Sequence, residues 1–451
     1  MTPDSIKKAT LFLDSWLAYR MRQSDIVGCS VSILVDDEII FSRVYGFANI
    51  EHKSPLTLEH LFHVASQTKM LTATAILQLA QKGALDLDEP IVTYLPWFGK
   101  HRDQRFRDIT IRHLLSHSAG LVRDGLDSDY WLFKGPSPTS GELRKIITET
   151  GLVFAPGTGV KYSNLGFSLL GQIIEEVSNC SYATYVAQSI LSPLGLQPMI
   201  LDYTPKIKDQ IPTGYGILLD RRRGAISERL PARGLIAATG LYATTEDMCR
   251  LVGALSPGHA LPINDHMKHE MARTQQRLTG GYDQGTEFGL GLEIQTIGKR
   301  RVVGHSGHMA GHLTATYLDP KDKIVVSVAS NTKDAPSTCM VRGIFGALDY
   351  FLHPDAPTNI SQNRSFSVRL CNEVSTVEIV HNGIDIVAID PDDWEPFAWY
   401  EKLEVLNDTT LRITTPGSIY NEGELLQYVF AGDAVESVRF AGLTMWPKVN
   451  E

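Results

Sequence analysis

From Ile6 to Met21 the chain alternates polar residues with Ile6, Leu11, Leu13, Trp16 and Leu17, a spacing that predicts an opening amphipathic helix. Two Val-, Ile- and Phe-rich runs follow, Cys29 to Val35 and Glu38 to Tyr45. The acidic pair Asp36-Asp37 between them predicts a hairpin. From about Phe62 to Ser256 the pattern is mainly helix and loop. Within it Met70 to Gln81 is apolar on almost every side, which predicts a helix enclosed by protein, with Gly83 placed to end it. Leu165 to Val177 carries a second helical stripe. Strand patterning returns at Arg301 to Ser306, Leu313 to Leu318 and Lys323 to Ala329, the last two separated by the turn Asp319-Pro320-Lys321-Asp322. An apolar helix is expected over Met340 to Leu352.

A helix and hairpin, a long helical insertion, then three strands and a helix fold most simply as an α+β unit. Early and late strands share one antiparallel sheet, and the insertion forms a helical lobe beside it, with a cleft between the two. Residues 1–352 are therefore expected as one domain. Residues 353–364, polar with two prolines, read as a linker. Residues 365–451 are strand-rich, with candidate strands at Ser365–Leu370, Val374–Val380, Ile384–Ile389 and Thr409–Thr414 and a hairpin signal at Asn382-Gly383. They are expected to form a small separate β-domain, a barrel or a sandwich.

Composition narrows the classes without choosing one. The 451 residues are 43% hydrophobic and 21% charged, the balance of a globular chain. Forty-two basic and fifty-one acidic side chains give a net charge of −9 with no basic block, which argues against nucleic acid or an anionic membrane as partner. Five scattered cysteines with no CxxC pair suggest neither a disulfide framework nor a zinc site. The first twenty residues lack the plan of a secretory signal, so a cytoplasmic setting is expected.

The chemistry concentrates at Ser66-Gln67-Thr68-Lys69, just before the enclosed helix. Residues three apart on a helix share a face, so the Ser66 hydroxyl and Lys69 amine can meet. Burial pushes a lysine towards its neutral form, and a neutral amine can take the serine proton. The same four residues also suit a helix cap followed by a solvated lysine. The wider context weighs against that: Phe62-His63-Val64-Ala65 precedes, and Ile111-Arg112-His113-Leu114-Leu115-Ser116-His117-Ser118-Ala119-Gly120-Leu121 follows. Tyr162-Ser163-Asn164 lies on a loop after Pro156-Gly157-Thr158-Gly159, and Gly304-His305-Ser306-Gly307 sits on a late strand.

In these three motifs and their order the chain resembles the serine β-lactamase and penicillin-binding-protein superfamily. It looks most like the branch of class C enzymes, carboxypeptidases, D-aminopeptidases and esterases. The resemblance covers about residues 10 to 350 and implies a β-lactamase-like fold. It implies Ser66 as nucleophile, and Lys69 and Tyr162 as proton carriers. His305 stands where β-lactamases carry lysine, with Ser306 and Gly307 beside it on the cleft edge. The backbone N–H groups of Ser66 and His308 are implied as oxyanion donors. Asn164 would hold Lys69 or a substrate amide, or cap the following helix. For Tyr162 to act as a base its pKa must fall, and a nearby Lys69 cation would lower it.

The resemblance thus implies a serine acyl hydrolase or acyltransferase forming an acyl-Ser66 intermediate on an ester, amide or thioester of a small molecule or peptide. An acyl-transferring enzyme of a natural-product pathway, or a penicillin-binding-type sensor that acylates and stalls, are the alternatives. No cofactor is implied, and the oligomeric state is left open. The C-terminal domain resembles the lipocalin-like appendages of some relatives. Three competing readings are weaker. His305, His308 and His312 lack a carboxylate partner for a metal site. Ser116-His117-Ser118-Ala119-Gly120 only approximates a nucleophile elbow. Arg221-Arg222-Arg223 reads as a solvated loop.

Overall fold

The acidic pair between the first two strands does form a tight hairpin. In the computed structural model β1 (Gly28–Val35) turns at Asp36 and Asp37, with φ of 46° and 71°, into β2 (Glu38–Asn49). Positive φ at both central residues gives the turn whose twist matches the flanking strands. The structure describes residues 2–125, 127–196, 199–280, 285–352, 366–418 and 421–448.

These residues fall into two compact units. The larger, Ile26–Thr338, holds an antiparallel sheet whose later strands are β3 (Glu293–Ile297), β4 (Arg300–Met309), β5 (His312–Asp319) and β6 (Ile324–Ser330). Nine strands among the described residues run in the order Ser54–Pro55, β2, β1, β6, β5, β4, β3, Glu287–Phe288, Gln276–Arg277. The early hairpin therefore joins the late strands, from Cys29 opposite Ser330 to Val35 opposite Ile324. β3 is absent from the sequence expectation, because its alternation of Glu293, Gln295 and Thr296 with Ile294 and Ile297 is short and weakly apolar.

The insertion forms the helical lobe. α2 (Thr68–Gln81) is buried from Thr68 to Leu79. Gly83, at φ +70°, ends it, with the Gly83 and Ala84 N–H groups donating to Ala80 O and Leu79 O. α3 (Asn164–Ser178) packs on α2 and closes on Asn179 in the left-handed region. α4 (Thr245–Gly253) lies across β1 and β6. A small sheet places Leu241–Ala243 between Phe62–His63 and Ile200–Leu201, so the chain entering Ser66 is paired before the helix begins.

The smaller unit joins Met1–Asp25 to Cys339–Glu451. It contains α1 (Pro3–Gln23), most of α5 (Ser337–Leu352), and eight strands that close a barrel. These are β7 (Val368–Cys371), β8 (Thr376–His381), β9 (Ile386–Ile389), β10 (Tyr400–Asn407), β11 (Thr410–Ile413), β12 (Leu425–Ala431), β13 (Ala434–Phe440) and β14 (Leu443–Pro447). Leu370, Ile379, Leu411, Leu426 and Val438 fill the interior and alternate with outward positions that include the exposed Leu425, Val429 and Trp446.

This grouping divides the chain differently from the 1–352 and 365–451 expectation. Aromatic packing explains why: in α1, Phe12 lies 5.6 Å from Phe351 and 5.3 Å from Phe397, and Trp16 meets Trp394 edge-on while donating to Pro391 O at 3.3 Å. Residues 353–364, expected as a linker, lie outside the described residues. No helix among the described residues is long and apolar enough to cross a membrane.

Candidate active site

The turn carrying Ser66 is held from both sides. Ala65 sits at φ +48°, a left-handed conformation that a β-carbon makes costly, and the chain then passes through a 3₁₀ turn, Ala65–Gln67, into α2. Val64 N–H donates to Leu241 O at 3.0 Å, and the Thr68 hydroxyl donates to Ala65 O at 2.6 Å while accepting from Leu241 N–H. On the sheet side Gln67 Nε2 donates to Thr314 Oγ1 at 2.7 Å. β4 approaches so closely that a β-carbon at Gly307 would lie 2.1 Å from Val64 O, so that position requires glycine. From Leu61 to Leu79 every residue but Ser66 is buried. The fold leaves one hydroxyl open.

Lys69 Nζ reaches it. The amine lies 3.1 Å from Ser66 Oγ, 2.8 Å from Asn164 Oδ1 and 3.0 Å from Ala238 O, the last delivered by the short helix Ile236–Thr239. All three oxygens are neutral, and the side chain is wholly buried. Burial therefore dominates and lowers the Lys69 pKa to about 7, with Asp124 pulling it up and Arg123 down. Asn164 Nδ2 donates to Asp124 Oδ1 at 2.7 Å, and Asp124 in turn pairs with Arg123 at 3.1 Å. A carboxylate can only accept, so the amide must turn its oxygen to Lys69. Asn164 does not cap α3. Ser163 does, accepting from Gly166 N–H at 3.0 Å, which frees the asparagine for the lysine.

The Tyr162 hydroxyl stands beside that of Ser66. Lys69 Nζ stands 4.8 Å from the centre of the Tyr162 ring, and the His117 ring packs against it, tilted by 32°, at 4.3 Å. The expected lowering of its pKa does not occur. Burial raises it, because the lysine that was to supply a cation is itself pushed towards neutrality and lies over the ring face.

The strand motif divides its residues between two tasks. His305 is buried, its ring 6.2 Å from that of Tyr162, and its Nδ1 faces Ser306 O and, at 3.4 Å, Glu293 Oε1. Burial lowers its pKa against the pull of Glu293. Ser306, expected to meet substrate, gives both its N–H (3.0 Å) and its hydroxyl (3.1 Å) to Glu293. Gly307 provides the close approach to the turn, and the His308 side chain is exposed near the strand end.

Competing sites come apart. His312 accepts from His63 N–H at 3.1 Å and lies 3.1 Å from both Pro212 O and Arg229 Nη2, away from a metal role. No group of His, Cys, Asp and Glu among the described residues could hold a metal ion. Ser118 is buried with its hydroxyl 2.9 Å from that of Ser116. Arg223 pairs with Asp334 at 2.5 Å. Sequence reasoning missed Asp124, Glu293, His117 and the Ala238 carbonyl. His117 stood inside the stretch 111–121 without a role, and Asp124 lies three residues past its end; Glu293 and the Ala238 carbonyl gave no such signal.

The Beta-lactamase family model matches residues 13–342. Penicillin-binding protein 4* of Bacillus subtilis (strain 168) is 27% identical over 309 residues, covering 64% of this chain and 65% of that protein. The chain thus spans less than two thirds of that relative's length. Esterase EstB of Burkholderia gladioli is 27% identical over 335 residues, 66% of this chain and 82% of the esterase. The octameric penicillin-binding protein homologue from Pyrococcus abyssi superposes with a TM-score of 0.66 at 22% identity, covering 96% of this chain and 99% of that one. At that identity the likeness speaks to the fold.

Proposed function

The chain belongs to the β-lactamase family, and from that premise we propose that it is a serine hydrolase that cleaves a small ester or amide through an acyl-Ser66 intermediate. One observation carries the reading: a buried lysine amine 3.1 Å from a partly open serine hydroxyl, with only neutral oxygens in direct contact. Near neutral pH about half of such amines are unprotonated, so Lys69 takes the Ser66 proton as Oγ attacks the carbonyl carbon. The oxyanion that forms is held by the backbone N–H groups of Ser66 and His308.

Tyr162 stays protonated and works as a relay. It passes its proton to the leaving group and regains one from Lys69, now an ammonium; the reverse traffic activates water for deacylation. Asn164 fixes the amine, Gly307 sets the distance between strand and nucleophile, and His305 lines the cleft. The partner is then a small-molecule or peptide acyl compound.

Intact mass after incubation with p-nitrophenyl acetate and with a D-aminoacyl amide tests this. The expected result is a gain of one acyl group in the native chain, sustained product release, and neither in Ser66→Ala. An acyl adduct that persists in Ser66→Ala sinks the assignment.

A further inference from the structure

Glu293 lies on a strand that no motif marks, yet it organises the cleft edge. Its Oε2 accepts from Ser306 N–H at 3.0 Å and from the Tyr317 hydroxyl; its Oε1 accepts from Ser306 Oγ at 3.1 Å. Tyr317 is steadied in turn by Gln295 Nε2, which donates to its oxygen at 2.8 Å. Donors from the next two strands, with Gln295 behind them, thus pin the carboxylate, and pinned there it stands 3.4 Å from His305 Nδ1.

We infer that Glu293 is a positioning residue that holds His305 as its Nδ1–H tautomer, so that Nε2 faces the cleft as a hydrogen-bond acceptor. The inference rests on the proposed acyl-enzyme reading for its place in the reaction. Nδ1 has two neighbours, the Ser306 carbonyl and the Glu293 carboxylate, and both only accept. The proton must therefore sit on Nδ1. Nε2 has no protein partner among the described residues, and the ring lies beside Tyr162.

The consequence concerns substrate. A lysine at this position would offer donors to a carboxylate; a neutral histidine fixed in this tautomer offers a lone pair. The group a substrate places there should carry an N–H or O–H, such as an amide, amine or alcohol, and not a carboxylate. The charged and titratable groups beside the pair are Lys69 from α2, Tyr162 and His117 from the lobe, His308 from the same strand and Tyr317 from the next.

The test is ¹⁵N imidazole NMR on the full chain, with the His305 signals assigned by their loss in His305→Gln, alongside kinetics of Glu293→Gln. The native protein should show Nδ1 protonated at His305. Glu293→Gln can donate as well as accept, so the Nε2–H form should gain population and kcat should fall about 10- to 100-fold with a smaller change in KM. Glu293→Asp should restore part of both. If Glu293→Gln does not fold, Tyr317→Phe removes one anchor and should give the same tautomer change at smaller amplitude. A native His305 protonated on Nε2 overturns the inference, as does a variant with native tautomer and native kcat. Fluorophosphonate labelling of Ser66 separates this from the underlying reading: failure to label the native chain removes the acyl-enzyme proposal, while the tautomer is read independently of it.

Discussion

Lys69 and Lys268 are both buried in the larger unit, at 0% and 4% exposure, and each amine has three oxygen partners. Those of Lys268 are Ser256 O at 2.9 Å, His259 O at 2.7 Å and the Asp265 carboxylate at 3.3 Å. Those of Lys69 are a hydroxyl, an amide oxygen and a carbonyl. One lysine has a counterion and ties the loop 256–259 to the helix Asp265–Ala272. The other has none in contact, and its nearest carboxylate, Asp124, reaches it only through Asn164. Burial alone does not make a base. The two differ in the charge of their partners: a carboxylate touches Lys268 and none touches Lys69, so desolvation at Lys69 meets no opposite charge in contact.

The largest expected effect comes from removing the amines in turn. Lys69→Met should lower turnover of p-nitrophenyl acetate by at least about 10³-fold per folded molecule, with the fraction folded read separately from the urea midpoint. A variant that keeps a tenth of native activity would break the distinction between the two sites. Next comes an attempt to turn one site into the other. Asn164→Asp places a carboxylate where Lys69 now meets an amide oxygen, and an opposite charge at that distance raises a lysine pKa by about 1–3 units. In the native enzyme kcat/KM should rise with pH through about 7, because Lys69 must lose its proton to act. In Asn164→Asp that limb should move upward, with activity at pH 7 reduced about 10- to 10³-fold and recovering in alkali. An unmoved limb would mean that another group sets it.

How much of this was legible beforehand follows from the same contrast. The hairpin at Asp36-Asp37, the enclosed helix after Ser66 and the late strands were readable because each is written in local periodicity. Ser66, Lys69, Tyr162 and His305 were readable as motifs, and the structure brings them together. The signs of the charges around them were not. Whether Asn164 caps a helix or grips a lysine depends on Ser163 taking the cap and on Asp124, forty positions away, orienting the amide. Glu293 and His305 meet because adjacent strands pair Glu293 with Gly304, a register that short, polar β3 does not announce. In the barrel, β10 and β13 were missed because charged residues interrupt their apolar positions, whereas β12, apolar at all but Gln427, was legible and passed over.

The Lys268 side of the comparison predicts losses of stability, not of rate. Lys268→Met takes the second donor from Ser256 O and His259 O, each of which keeps one backbone N–H, and should cost about 1–2 kcal/mol, read from the urea midpoint, with native activity per folded molecule. Asp265→Asn is the smallest change. The Asp265 side chain is 55% exposed, and both its oxygens accept from Gly258 N–H at 3.0 Å. Asparagine keeps one oxygen, whose two lone pairs can serve Gly258 N–H and the amine together, and an exposed pair at i,i+3 contributes little. The melting temperature should therefore shift by no more than about 2 °C, with turnover unchanged. If instead Asp265→Asn destabilises as much as Lys268→Met, the counterion and not the carbonyl pair is what makes that burial tolerable. The absence of such a counterion at Lys69 would then weigh more heavily still in setting the amine free to act.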